Sequence, residues 1–238
     1  MRGDFRVAFA IYRLKRKVLI IDRTYVYIDG FNLYHGAVKN RPEFKWLDLV
    51  SISRRLMAGS QVLKVKYFTA KVRKLDDPAR PARQLVYWRA LRRLYPTELE
   101  IIEGHFRIDP KRLRIAKKGL DGKYKATSRS IMVMKPEEKG TDVNLAVHLL
   151  NYARLNHYDT ALIISNDSDL FEAIRIVKND LFKRVVLANP FLWTKTGVAR
   201  ELLSLGLYKR KITEKQLAAC QLPESIPNTN IVKPLSWK

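Results

Sequence analysis

Four aspartates combine a chemically useful side chain with a useful position. Asp29 ends the run Tyr25-Val26-Tyr27-Ile28, and Asp142 opens a helical pattern after Lys139-Gly140-Thr141. Asp167 and Asp169 follow the apolar run Ala161-Leu162-Ile163-Ile164. In an open α/β sheet the carboxyl ends of the strands share one edge, where ligands bind. Acids far apart in sequence can therefore meet in one cleft. Two unit charges ~5 Å apart repel by roughly 3 kcal/mol at an effective dielectric of ~20. Such a cluster needs a cation or a retained proton, and a divalent metal site is the sharper expectation. Hard cations take oxygen ligands. They lower the pKa of a bound water and offset charge on a phosphoryl oxygen, the requirements of phosphodiester hydrolysis.

Each aspartate also has a plain structural use. Asp29-Gly30 suits a turn, Asp142 suits a helix's first turn, and Asp169 with Glu172 resembles a capping pair that Asp167 could assist. What favours the metal reading is recurrence at strand ends in a basic chain. The 238 residues hold 46 Lys+Arg against 23 Asp+Glu, a net charge of +23. A pI near 10.2 points to a polyanionic partner, first of all nucleic acid. From Lys71 to Arg129 there are 17 Lys/Arg and 7 Asp/Glu, net +10, and the four aspartates lie outside that stretch.

The elements that must position these residues follow from patterning. Strands are expected at Thr24–Asp29, Val62–Ala70, Leu99–Ile102, Thr160–Ile164, Arg184–Ala188 and Leu207–Ile212. Helices are expected over Phe31–Val38, Leu47–Met57, Pro81–Tyr95, Thr141–Asn156, Asp169–Lys178, Val198–Leu205 and Thr213–Ala219. Leu85, Trp88, Leu91 and Tyr95 form the apolar face of the third helix. Val143, Val147, Leu150 and Arg154 recur at helical intervals in the fourth, with Thr141 as its N-cap. Asp121-Gly122 marks the turn of a basic β-hairpin between His105 and Met134. The expected fold is α/β, a mostly parallel sheet flanked by helices with this hairpin inserted. Residues 1–23 read as a basic extension, 24–212 as the domain, and 213–238 as a short helix and tail.

Exclusions narrow the field. One cysteine, Cys220, excludes an intrachain disulfide and a Cys-based zinc cage, and reads as a small buried hydrophobe. No apolar run approaches the ~20 residues of a membrane span. The N-terminal apolar run precedes its cationic cluster, the reverse of a signal peptide, so a cytoplasmic location is expected. No Gly-x-Gly-x-x-Gly or Walker-type phosphate loop is present, so nucleotide-cofactor readings lose their main support. The four histidines form no spaced pair for metal-independent acid–base catalysis.

Three segments in order resemble the signature of the NYN domain: Tyr27-Ile28-Asp29-Gly30-Phe31-Asn32-Leu33-Tyr34, Lys139-Gly140-Thr141-Asp142-Val143-Asn144-Leu145 and Ser165-Asn166-Asp167-Ser168-Asp169-Leu170. The likeness, to the bacterial LabA-like branch, runs from about Thr24 to the C-terminus. It implies a PIN-like three-layer fold and a Mg²⁺ or Mn²⁺ site lined by Asp29, Asp142, Asp167 and Asp169. It further implies that Asn32 orients the first carboxylate or the substrate, with hydroxyls from Thr141 or Ser165. Asn166 stands where many members have Gly, and Leu170 where Phe is common, departures that remove no carboxylate.

The expected function is hydrolysis of RNA by a metal-activated water, giving 5′-phosphate and 3′-hydroxyl ends. Arg89, Arg92 and Arg93, neighbours on one helix, and Lys139, beside Asp142, are the expected phosphate contacts. Tyr87 and Trp88 could stack on unpaired bases, although Trp88 at helical spacing fits a core position. The alternatives are a non-catalytic RNA-binding or adaptor protein, a structure-specific DNA nuclease, and a scaffold working through its tail and extension.

Overall fold

A computed structural model describes residues 22–72, 77–193 and 197–237. Most of the expected N-terminal extension thus lies outside the described residues. Among the described residues seven strands form one sheet: β1 Arg23–Asp29, β2 Gln61–Ala70, β3 Leu99–Lys118, β4 Tyr124–Lys139, β5 Thr160–Ile164, β6 Arg184–Asn189 and β7 Tyr208–Lys211. Their order is β4-β3-β2-β1-β5-β6-β7, all parallel except the β3–β4 pair. The chain leaves β1 for β2 on one side and later returns as β5 on the other. Strand β1 is therefore the switch point of the sheet, where an open α/β fold leaves a crevice at its carboxyl edge.

Buried parallel strands need apolar residues on both faces, and alternation sorts this sheet into two cores. Val26, Ile28, Leu162, Ile164, Val186 and Ala188 point to one face. There they meet the helix α1 (Gly30–Leu33) with the π-helical turn Tyr34–Val38 that extends it, α2 (Leu49–Leu56), α3 (Arg80–Leu94) and the C-terminal segment. Tyr25, Tyr27, Ala161, Ile163, Val185 and Leu187 point to the other, under α4 (Thr141–Arg154), α5 (Phe171–Arg175) and α6 (Arg200–Ser204). The result is the expected helix–sheet–helix sandwich. A short α7 (Glu214–Ala219) carries a Thr213/Gln216 capping box, and Cys220 is buried in the first core as expected.

Several expectations need correction. The strand expected at Leu99–Ile102 and the separate hairpin form one continuous β3, which changes partner midway. Leu99–Gly104 pair with β2, and His105–Lys118 pair with β4. Gly104 permits the change: a Cβ there would lie 2.8 Å from the Lys139 carbonyl oxygen and 2.8 Å from the Thr141 methyl. The hairpin thus projects past the sheet as a two-stranded arm, turning as expected at Asp121-Gly122, with Gly122 at φ +74°.

In α4 the buried stripe is Leu145, Leu149 and Ala153, while Val143 and Val147 face solvent. Asp142 belongs to that buried stripe by its spacing, so the rotation that fills the core also turns Asp142 inward. The N-cap of α4 is Gly140 at φ +89°, not Thr141, which occupies the first helical position. Leu85 is exposed rather than buried with Trp88 and Leu91.

Candidate metal centre

Asp29 is 4% exposed at the end of β1, where it also caps α1. Its Oδ1 accepts the Asn32 backbone N–H at 2.9 Å. Its Oδ2 accepts from Asn32 Nδ2 at 2.6 Å and Ser165 Oγ at 2.8 Å. A carboxylate offers about four lone-pair positions, so these bonds fix Asp29 and leave room for a further partner. Asn32 holds both sides of the crevice, because its Oδ1 accepts the backbone N–H of Asn166 at 3.1 Å. Parallel register sets Ile28 beside Ile164, which brings Ser165 against Asp29.

The loop after β5 presents Asp167. Its N–H donates to Ser165 Oγ at 3.1 Å, and its Oδ1 caps the 3-10 turn Ser168–Leu170 through the Asp169 N–H at 2.9 Å. Asp142 arrives from α4 on the same face. One carboxylate oxygen from each of Asp29, Asp142 and Asp167 lies within 4.8 Å of the others. Asp169 stays outside that triplet, exposed. It does not cap: Asp167 holds that position, and Glu172 pairs with Arg175 at 2.8 Å. Asp169 is still near enough for its charge to act on Asp142.

A fifth acid belongs to the site and escaped the sequence reading. Glu138 precedes the Lys139-Gly140-Thr141-Asp142 segment, and its Oε1 is buried without a hydrogen-bond partner among the described residues. Burial, with Asp142 and then Asp29 nearby, raises Glu138 to about 7. Burial, with Asp29, Asp167 and Asp169 nearby, raises Asp142 to about 6. Burial likewise raises Asp29, against the opposing bonds from Asn32 and Ser165. The usable signal was alternation at the end of β4: Glu138 lies near Asp142, while its neighbour Glu137 points the other way to Lys111, Lys135 and Lys139.

Three hard oxygen donors this close, with Asp29 and Asp142 raised toward protonation and the orphaned Glu138 oxygen beside them, fit a divalent cation. Thr141 is buried, with its methyl group directed at Gly104. Asn166 serves the fold: its Oδ1 accepts the Ala199 N–H at 2.9 Å and its Nδ2 donates to the Gly197 carbonyl at 3.0 Å.

The expected phosphate contacts are more dispersed. Lys139 lies on the α3 side of the sheet, pairs with Glu137 at 3.1 Å, and lines an open groove with Lys71, His105 and Arg107. Arg89, Arg92 and Arg93 are exposed on α3, across the sheet from α4. Arg92 is engaged by Glu103 at 3.2 Å and lies over the Trp88 ring. Tyr87 and Trp88 are buried in the core, as the helical spacing of Trp88 suggested. The arm is the more continuous basic feature: residues 105–139 carry 11 Lys/Arg against 4 Asp/Glu. On its Glu138 side Arg112 and Arg114 alternate with exposed Met132 and Met134 across the ladder.

Among the described residues no helix is long and apolar enough to cross a membrane. A 6-hydroxy-3-succinoylpyridine 3-monooxygenase, HspA of Pseudomonas putida, is 31% identical, over 90% of this chain and 75% of that protein. A crystal structure of a protein of unknown function from Vibrio parahaemolyticus is 14% identical, with a TM-score of 0.48 over 82% of this chain and 94% of that one. The NYN domain model matches residues 23–203 and so spans all three segments that carry the aspartates. The chain belongs to the NYN domain family, within the PIN-like superfamily of nuclease-like folds.

Proposed function

We propose that this protein is a divalent-metal-dependent ribonuclease whose centre is Asp29, Asp142 and Asp167, with Glu138 and Asp169 beside them. The observation that carries the reading is the convergence of three carboxylates within 4.8 Å at the switch point of the sheet. Held there, Mg²⁺ or Mn²⁺ would supply a nucleophilic water at neutral pH and positive charge for a phosphoryl oxygen.

The chain's own residues do the rest. Asn32 and Ser165 fix the Asp29 carboxylate, and Asn32 locks it to the loop that presents Asp167. Glu138, raised to about 7, is positioned to hold or release a proton near neutral pH. The basic arm, Lys139 and the α3 arginines hold the phosphate backbone, and the products carry 5′-phosphate and 3′-hydroxyl ends. The reading places the enzyme in the cytoplasm.

Purified protein is tested on matched RNA and DNA oligonucleotides with Mg²⁺, Mn²⁺ or excess EDTA. The expected result is RNA cleavage that requires the ion. Salt-sensitive RNA binding without products would instead mark an adaptor, and preferential DNA cleavage a DNA nuclease. The likeness to HspA favours a second reading, hydroxylation of a small pyridine. Conversion of 6-hydroxy-3-succinoylpyridine in the presence of dioxygen and a reductant, with no RNA cleavage, would select it.

A further inference from the structure

On the α3 side of the sheet a cavity of about 150 Å³ begins one residue beyond Asp29, at Gly30 and Phe31. Its walls include Tyr34, Phe44, Tyr67, Tyr87, Trp88 and Trp237. Apolar cavities of ~150 Å³ accommodate a single benzene ring. Two further observations point to an occupant. Trp88 is 1% exposed, and its indole N–H has no acceptor among the described residues. A buried donor left unpaired costs roughly 1–3 kcal/mol, which a ligand acceptor would recover.

The second observation is the charge lining the cavity. Among the described residues Lys45, Arg80 and Arg83 line it with one acid, Asp77, and Arg83 is already paired with that acid. Among the described residues Lys45 and Arg80 make no ion pair, and Arg80 lies over the Tyr34 ring at 5.4 Å. Burial, with Arg83 and Arg80 alongside, lowers the Lys45 ammonium below its ordinary range. An anion here would relieve that crowding.

We propose that this cavity binds one six-membered heteroaromatic ring bearing an anionic group, the ring between aromatic walls and the anion on Lys45 and Arg80. The ring offers an acceptor to the Trp88 N–H. This chemistry has two sources, a free aromatic acid or a pyrimidine nucleotide of a bound strand. The site goes beyond the carboxylate centre and does not require that centre to be active.

The test uses the full chain, ¹⁵N-labelled and free of divalent metal, so that its outcome is separate from cleavage. Pyridine-3-carboxylate and uridine 5′-monophosphate are titrated while the indole N–H signals are followed, with Trp88 assigned through Trp88→Phe. A saturable shift of the Trp88 signal is expected with at least one probe. Affinity should fall tenfold or more in Lys45→Ala with Arg80→Ala, a pair whose folding is checked by an unchanged circular dichroism spectrum and Tm. Saturation by pyridine-3-carboxylate alone identifies a free acid as the source. Saturation by the nucleotide, with displacement by oligouridylate, identifies a strand. No saturable shift with either probe up to about 10 mM, or undiminished affinity in the double variant, overturns the proposal.

Discussion

Asp29 shows how one side chain satisfies two demands. It caps α1 and accepts three hydrogen bonds, yet it also meets Asp142 and Asp167 across the crevice. Because Asn preserves the shape of the cap, Asp29→Asn and Asp167→Asn should each lower metal-dependent cleavage at least 100-fold. Circular dichroism and RNA affinity should stay close to wild type; undiminished cleavage would remove these residues from the centre. Glu138 supports a prediction about pH. Its folded value, about 7, stands above the ordinary 4.5. Between those values the native state holds more protons than the unfolded chain, so this group's contribution makes metal-free stability fall as pH rises. Glu138→Gln should therefore raise the metal-free Tm at pH 8 and leave it unchanged at pH 4. Allowing for solvent screening, the gain is of order 1 kcal/mol, or about 2–4 °C for a chain of this size. A scan at both pH values checks it, and added Mg²⁺ should narrow the difference.

At the level of elements, Gly30 lets α1 leave β1 tightly enough to keep Asp29 in the crevice. A Cβ at that position would sit 2.7 Å from the Phe68 carbonyl oxygen and 2.8 Å from the Tyr67 ring. Gly30→Ala should therefore cost about 1–3 kcal/mol in denaturant unfolding. The parallel strands and both sides of the sandwich were legible in the sequence, because short buried β-branched runs alternate with amphipathic helices and so share one carboxyl edge. The convergence of Asp29, Asp142 and Asp167 was legible for the same reason. Helix rotation was less so: Val143 and Val147 match a helical period as well as Leu145 and Leu149 do. Only the packing of α4 on Tyr27 and Phe68 decides between them. Glu138 was hidden because its meaning depends on β4 reaching Lys139, past the expected end of the hairpin at Met134. The cavity was hidden because Trp237 and Trp88 lie far apart in the chain.

The whole molecule divides its charge between a carboxylate crevice and a strongly basic exterior. The arm carries a net +7 of that excess and adds little to either core. Lys111, Lys135 and Lys139 pair with Glu137, and Lys125 pairs with Asp121. Arg107, Arg112, Arg114, Lys117, Lys118, Lys123 and Arg129 make no ion pair among the described residues and can meet phosphates. Log affinity for single-stranded RNA should fall linearly with log salt, and each lost phosphate contact should reduce the slope by about 0.7. Arg112→Ala with Arg114→Ala is expected to lower the slope by about 1.4 in filter-binding titrations without changing the Tm. An unchanged slope would move the track elsewhere, to the groove at Lys139 or to α3. The predicted cleavage presupposes that the crevice holds a divalent ion. Diffraction from crystals soaked in Mn²⁺, collected near the manganese edge, measures that directly. An anomalous peak bounded by Asp29, Asp142 and Asp167 and absent from Asp167→Asn crystals is the predicted result. A crevice without such a peak at saturating Mn²⁺ would contradict the metal centre and the hydrolysis built on it.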